Sequence, residues 1–132
     1  MESAPPQTPP LLELAILIVG RRWDRAYEWY VHEKIARKAG LAPAIIEALA
    51  AGLTPPGMSE CETLIHSLCR ETLRDGQAAD ATYVAAEAMF GRACILDLLA
   101  LCGYYPLLAF VLNTAQLVVP DDGTTPLAPM GR

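Results

Sequence analysis

An all-α fold is predicted by three observations. Apolar residues recur at helical spacing in successive segments, capping or stop residues bound those segments, and almost no alternating strand pattern occurs. The chain has 132 residues, 53% of them apolar, which is one domain with enough apolar material for a core. About six helices packed as a bundle are expected. Residues 1–10 form a Pro-rich lead-in, 11–119 the helical domain and 120–132 a C-terminal tail.

Each helix has its own justification. Leu11 to Arg21 is a nearly unbroken apolar run. Asp24 to Lys38 opens on a potential N-cap and stops at Gly40. Ala42 to Ala51 is a short third helix with Pro43 in its first turn and Gly52 after it. Thr54-Pro55-Pro56-Gly57 is a loop, after which Ser59-Glu60-Cys61-Glu62 reads as a capping box opening a fourth helix that continues to Arg74 and ends at Gly76. Asp80 is the expected cap of a fifth helix through Phe90.

The last helix, from about Ala93 to Leu117, is apolar around its whole circumference and long enough for a membrane span. Asp97, Asn113 and Gln116, the break expected at Gly103 and Pro106, and the lack of a partner span argue instead for a buried helix, covered by the domain's own core and by neighbouring subunits. Pro106 removes a backbone hydrogen bond to Cys102, so a kink is expected beside Tyr104 and Tyr105. No membrane association is expected. With no secretory signal pattern in Met1-Glu2-Ser3-Ala4-Pro5-Pro6, a cytoplasmic setting follows.

Charge narrows the partners. A net charge of −5 without a basic stripe argues against nucleic acid. An anionic ligand would need local cations, and Arg21, Arg22 and Arg25 form the one basic cluster near the residues discussed next.

Tyr27-Glu28-Trp29-Tyr30-Val31-His32-Glu33 spaces Glu28 and His32 by one helical turn, so the two share a face. Histidine titrates near neutrality, and a carboxylate one turn away can set its tautomer and basicity. Glu13 stands inside the apolar run Leu11 to Val19, where a carboxylate needs a partner or must remain neutral. Together these residues are equipment for proton transfer, against the simpler reading of a solvated Glu/His pair and an outward-pointing Glu13.

The order Glu13-Leu14-Ala15-Ile16-Leu17, Tyr27 to Glu33, Ala39-Gly40-Leu41, and Gly103-Tyr104-Tyr105 with Leu112-Asn113 resembles the carboxymuconolactone decarboxylase family, related to alkylhydroperoxidase D. The resemblance extends over roughly Leu11 to Pro126. It implies an alkylhydroperoxidase D-like helical bundle assembled as a homotrimer or homohexamer. In the peroxidase branch a Cys-x-x-Cys precedes the relay histidine. Here those two positions fall on Arg25 and Glu28, while Glu13 and His32 match the relay. Without a thiolate at that site no sulfur nucleophile is available there.

The resemblance therefore implies the decarboxylase branch: a cofactor-free and metal-free enzyme acting on a small acidic substrate, a carboxylated lactone or a related enolisable acid. His32 is the expected acid/base, Glu28 its orienting group and Glu13 the buried relay carboxylate. Tyr27, Arg25, Trp29 and Tyr105 are the expected substrate contacts. Isomerase or dehydratase chemistry, a peroxidase-like redox protein and a non-catalytic oligomeric binding module are the alternatives.

The remaining chemistry-bearing residues read as structural. Cys61, Cys69, Cys94 and Cys102 contain no Cys-x-x-Cys and no zinc-ligand spacing, so packing is the default, with Cys61 near a helix start the one to watch. His66 reads as a satisfied structural histidine. No phosphate loop, nucleotide fingerprint or Gly-x-Ser-x-Gly turn occurs.

Overall fold

A computed structural model describes residues 9–22 and 26–115, with side chains described for 10–22 and 29–115. Six helices follow one another: α1 (Pro9–Arg22), α2 (Ala26–Ala39), α3 (Pro43–Ala50), α4 (Glu60–Asp75), α5 (Asp80–Phe90) and α6 (Arg92–Ala115). No strand occurs among the described residues, so the chain is all-α.

The helix ends follow from local chemistry. Gly40 takes φ +97°, and the Leu41 amide donates to the Ala36 carbonyl, closing α2 in a left-handed turn that a side chain at position 40 would strain. Pro43 starts α3. At α4, the Glu62 amide donates to Ser59 Oγ at 3.1 Å while the Ser59 amide donates to Glu62 Oε1 at 2.8 Å, the reciprocal capping box read from the sequence.

One cap differs from expectation. Asp80 is the first residue inside α5 and caps nothing. The carboxylate that serves this helix start comes from α4: Glu71 accepts from the Ala79 amide and from Thr82 Oγ1, both at 2.9 Å. Such a cap, supplied by another helix, leaves no trace in the local sequence.

Helix α1 is the axis of the molecule. It packs against α2, α4 and α6, and less extensively against α3, and every residue from Glu13 to Arg21 is buried. An all-round apolar helix belongs in the middle of a core, and α1 is that helix. Leu14, Leu17 and Val19 meet Trp29 of α2, Ile46 of α3, Ile65 and Leu68 of α4, Phe90 of α5 and Ile95 and Leu98 of α6 in one continuous cluster. Arg21, at the buried end of α1, donates from Nε to the Leu49 carbonyl at 2.9 Å, tying α1 to α3.

Helix α6 departs from the expected burial. One face, through Ile95, Leu98, Cys102 and Ala109, enters the core, whereas Leu96, Leu107, Phe110 and Val111 are each about half exposed. The reason is geometric: α6 packs on α1, α4 and α5, all of which lie on its inner side, so nothing in the described chain covers the outer side. By length and composition α6 is the one described helix able to cross a membrane. It runs through Gly103 and Pro106 without interruption, and Asn113 is exposed rather than buried.

Candidate active site

Packing of α1 on α2 brings together two residues nineteen positions apart. Glu13 Oε1 and His32 Nδ1 lie 2.9 Å apart, with side-chain exposures of 11% and 17%. Glu13 emerges from the otherwise apolar α1 at the α2 contact, so the imidazole is the partner its burial demands. A carboxylate at Nδ1 accepts the proton of that nitrogen and leaves Nε2, on the opposite edge of the ring, as the position that gives or takes a proton. Nε2 has no hydrogen bond within the described residues.

Among the described residues, the other neighbours of His32 are apolar or aromatic. Its ring meets Tyr105 of α6 edge-on, with centroids 5.7 Å apart, and Tyr105 meets Tyr104 the same way at 5.4 Å. His32 and Val31 form one wall of a groove of about 310 Å³ whose other wall is α6, through Tyr104, Tyr105, Leu108, Val111 and Leu112. Among the described residues no lysine or arginine lines it. On the opposite side, Ile16, Leu17, Gly20 and Trp29 close against His32 with essentially no free volume. A ligand can therefore approach the imidazole from the α6 side.

The remaining expected site residues are distributed as follows. Trp29 is 2% exposed in the core, and its indole Nε1 donates to Glu33 Oε1 at 3.0 Å. Arg37 Nε donates to the other oxygen of Glu33, also at 3.0 Å. Glu33 is thus engaged on both oxygens, and Trp29 stands behind His32 rather than in the groove. Tyr27 and Glu28 belong to α2, but their side chains, like all of Arg25, lie outside the described residues.

Tyr104 lines the groove with Tyr105, its neighbour beside Pro106, whereas Leu108 and Leu112 were not anticipated there. Their spacing from Tyr105 carries a helical signal, but only the position of α2 reveals which face of α6 it marks. Among the described residues no group of three or more histidine, cysteine or carboxylate side chains is placed to hold a metal ion.

Two expectations about buried groups change. His66 is buried, and among the described residues its Nε2 has no hydrogen-bond partner, so it is not the satisfied core histidine expected. Burial first, and the charge of Arg70 second, hold its pKa below the ordinary 6.5. Cys69 of α4 and Cys102 of α6, read separately in the sequence, are hydrogen-bonded to one another as free thiols. That bond and burial push the Cys69 thiol up, while the same bond lowers Cys102. Cys61 is half-buried at the start of α4.

No protein-family model matches this chain, and neither a curated protein nor a solved structure shows significant similarity to it.

Proposed function

We propose that the protein is a cytoplasmic, cofactor-free acid/base enzyme with chemistry like that of carboxymuconolactone decarboxylase, acting on a small carboxylated lactone or a related enolisable acid. The observation that carries this reading is the Glu13–His32 pair at 2.9 Å with the imidazole exposed to an apolar groove.

In this reading the bond to the carboxylate carbon breaks, carbon dioxide leaves, and the electron pair remains on the substrate carbon as an enolate. His32 delivers the proton from Nε2, and Glu13 stabilises the imidazolium before and the correct tautomer after transfer. The apolar groove wall of Tyr104, Tyr105 and Leu108 lowers the local polarity and so strengthens the interaction between enolate and imidazolium. The exposed apolar side chains of α6, Leu96, Leu107, Phe110 and Val111, support assembly as a homotrimer or homohexamer, since a contiguous apolar ridge is ordinarily an interface.

The test is the ultraviolet absorbance of 4-carboxymuconolactone with purified protein, alongside His32→Ala and Glu13→Gln variants shown to be folded. Turnover with carbon dioxide release is expected for the parent protein. It should be abolished in His32→Ala and reduced on the order of a hundredfold or more in Glu13→Gln, the range that general acid–base catalysis contributes. Equal turnover in the parent protein and His32→Ala would reject the assignment of the proton donor.

A further inference from the structure

Two of the four cysteines meet across the core. Cys69 stands on α4 and Cys102 on α6, thirty-three positions apart, and their free thiols are hydrogen-bonded to one another. The two helices pack directly on each other, and both residues belong to the buried cluster that fills the bundle. A thiol is a weak donor and a weak acceptor, so it is packing that holds the two groups together. Each sulfur thereby lies within reach of the other.

The pair is asymmetric. Cys69 is fully enclosed, whereas Cys102 keeps 6% exposure. The Cys69 S–H donates to the Cys102 sulfur. That bond holds the Cys102 thiol below its ordinary value, and the bond together with burial lifts Cys69 well above. The thiolate is the reactive form of cysteine, so the more reactive sulfur is also the one that a molecule from solvent meets first. So small an opening admits a molecule about the size of water and excludes a bulky one. A nucleophilic sulfur with a second thiol poised behind it is the equipment of a redox-sensitive site.

The other two cysteines are placed differently. Cys61 and Cys69 lie eight positions apart on α4, and Cys94 and Cys102 lie eight positions apart on α6. At the helical rise each of these spacings is about 12 Å. A disulfide spans no more than about 7 Å between Cα atoms, so the intact helices forbid both bridges. In an unfolded chain the order reverses, because short loops close at the least entropic cost.

We propose that Cys69 and Cys102 form a site of reversible oxidation, at which hydrogen peroxide joins the two thiols in a disulfide that fastens α4 to α6. The Cys102 thiolate, its proton released to solvent, attacks one peroxide oxygen. The O–O bond breaks, Cys102 becomes a sulfenic acid and hydroxide leaves. The Cys69 sulfur then attacks that of Cys102, the S–O bond breaks and water leaves; the proton of Cys69 converts a hydroxide to water. Two thiols give up two electrons and two protons, and one peroxide becomes two waters. In the cytoplasmic setting proposed above, such a bridge is a transient response to oxidant. Cys102 lies one turn before Tyr105, whose ring meets His32, so the bridge anchors the α6 wall of the groove to the core. The acid/base reading of His32 plays no part in this chemistry.

The test treats the folded full chain with hydrogen peroxide, stops the reaction with catalase and alkylates the remaining thiols with iodoacetamide in denaturant. Mass spectrometry of the intact protein and of an unreduced digest then counts labels and locates bridges. Untreated protein should take four labels and oxidised protein two, with one Cys69–Cys102 peptide pair accounting for the loss. Dithiothreitol should restore all four. In Cys69→Ala no bridge should form, and dimedone should capture a sulfenic acid on Cys102. Cys61→Ser, which leaves both core thiols in place, should form the bridge as the parent protein does.

Four labels after oxidation, a bridge joining any other pair, or a covalent dimer in its place would overturn the proposal. Bridges from Cys61 to Cys69 or from Cys94 to Cys102 would assign the reaction to the unfolded chain. Dimedone on Cys61 in preference to Cys102 would overturn the order of attack and the site with it.

Discussion

Removing Glu13 tests whether the apolar axis of the bundle really carries a polar tie to α2. In Glu13→Leu, His32 Nδ1 loses an acceptor 2.9 Å away, in a position where its side chain is 17% exposed and water replaces that acceptor poorly. A hydrogen bond to a charged group contributes about 1.5–3 kcal/mol, and a buried donor left alone costs about 1–3 kcal/mol. Leucine at position 13 offsets part of that loss, because it no longer requires a carboxylate to be desolvated inside α1. The net destabilisation should be about 1–2 kcal/mol at neutral pH.

His32→Leu should cost a similar amount, since it strands Glu13 at 8% exposure. The double variant should be destabilised by less than the sum, with a coupling of about 1–2 kcal/mol. Urea denaturation followed by circular dichroism measures all four proteins, and the midpoints should shift without a change in slope. Salt should alter the coupling little, because a pair this far from solvent is weakly screened. Additivity to within about 0.5 kcal/mol would mean that the two side chains do not meet in solution, and the geometric basis of the candidate site would fall with it.

Three further outcomes are expected. Because His66 has a pKa below 6.5 when folded, the unfolded chain binds more protons below that value. Stability should be full above about pH 6.5 and decline as the pH falls toward the folded pKa; His66→Gln should flatten this limb in thermal melts recorded across that window. Ser59→Ala removes one half of the reciprocal cap of α4 and should lower stability by about 1 kcal/mol in the same denaturation assay, with no change in oligomeric state. Phe110→Glu, at a side chain 49% exposed on the outer ridge of α6, should shift sedimentation toward a smaller species while leaving helical content unchanged, and an unaltered sedimentation profile would exclude that ridge as the subunit contact.

Helix α1 illustrates what was legible along the chain. Its apolar run, like the stop at Gly40, the Pro43 start and the Ser59/Glu62 box, is local chemistry that acts within a few residues, so number, order and approximate ends of the helices could be read directly. Asp80 marks the boundary of that method. The cap of α5 comes from Glu71, across a turn, and a local pattern contains no record of it.

Local chemistry along the chain is enough to establish the all-α class, His32 on a helix, and Glu13 set in an apolar run that demands a partner for it. Helix packing, by contrast, is what makes the two meet, turns Trp29 into the core to serve Glu33, sets the free thiols of Cys69 and Cys102 beside one another, and makes α1 rather than α6 the buried axis. The physical reason is that periodicity specifies which residues share a helix face. Which faces touch depends on how the six described helices divide a limited amount of covering surface, and among the described residues nothing covers the outer side of α6, the longest of them.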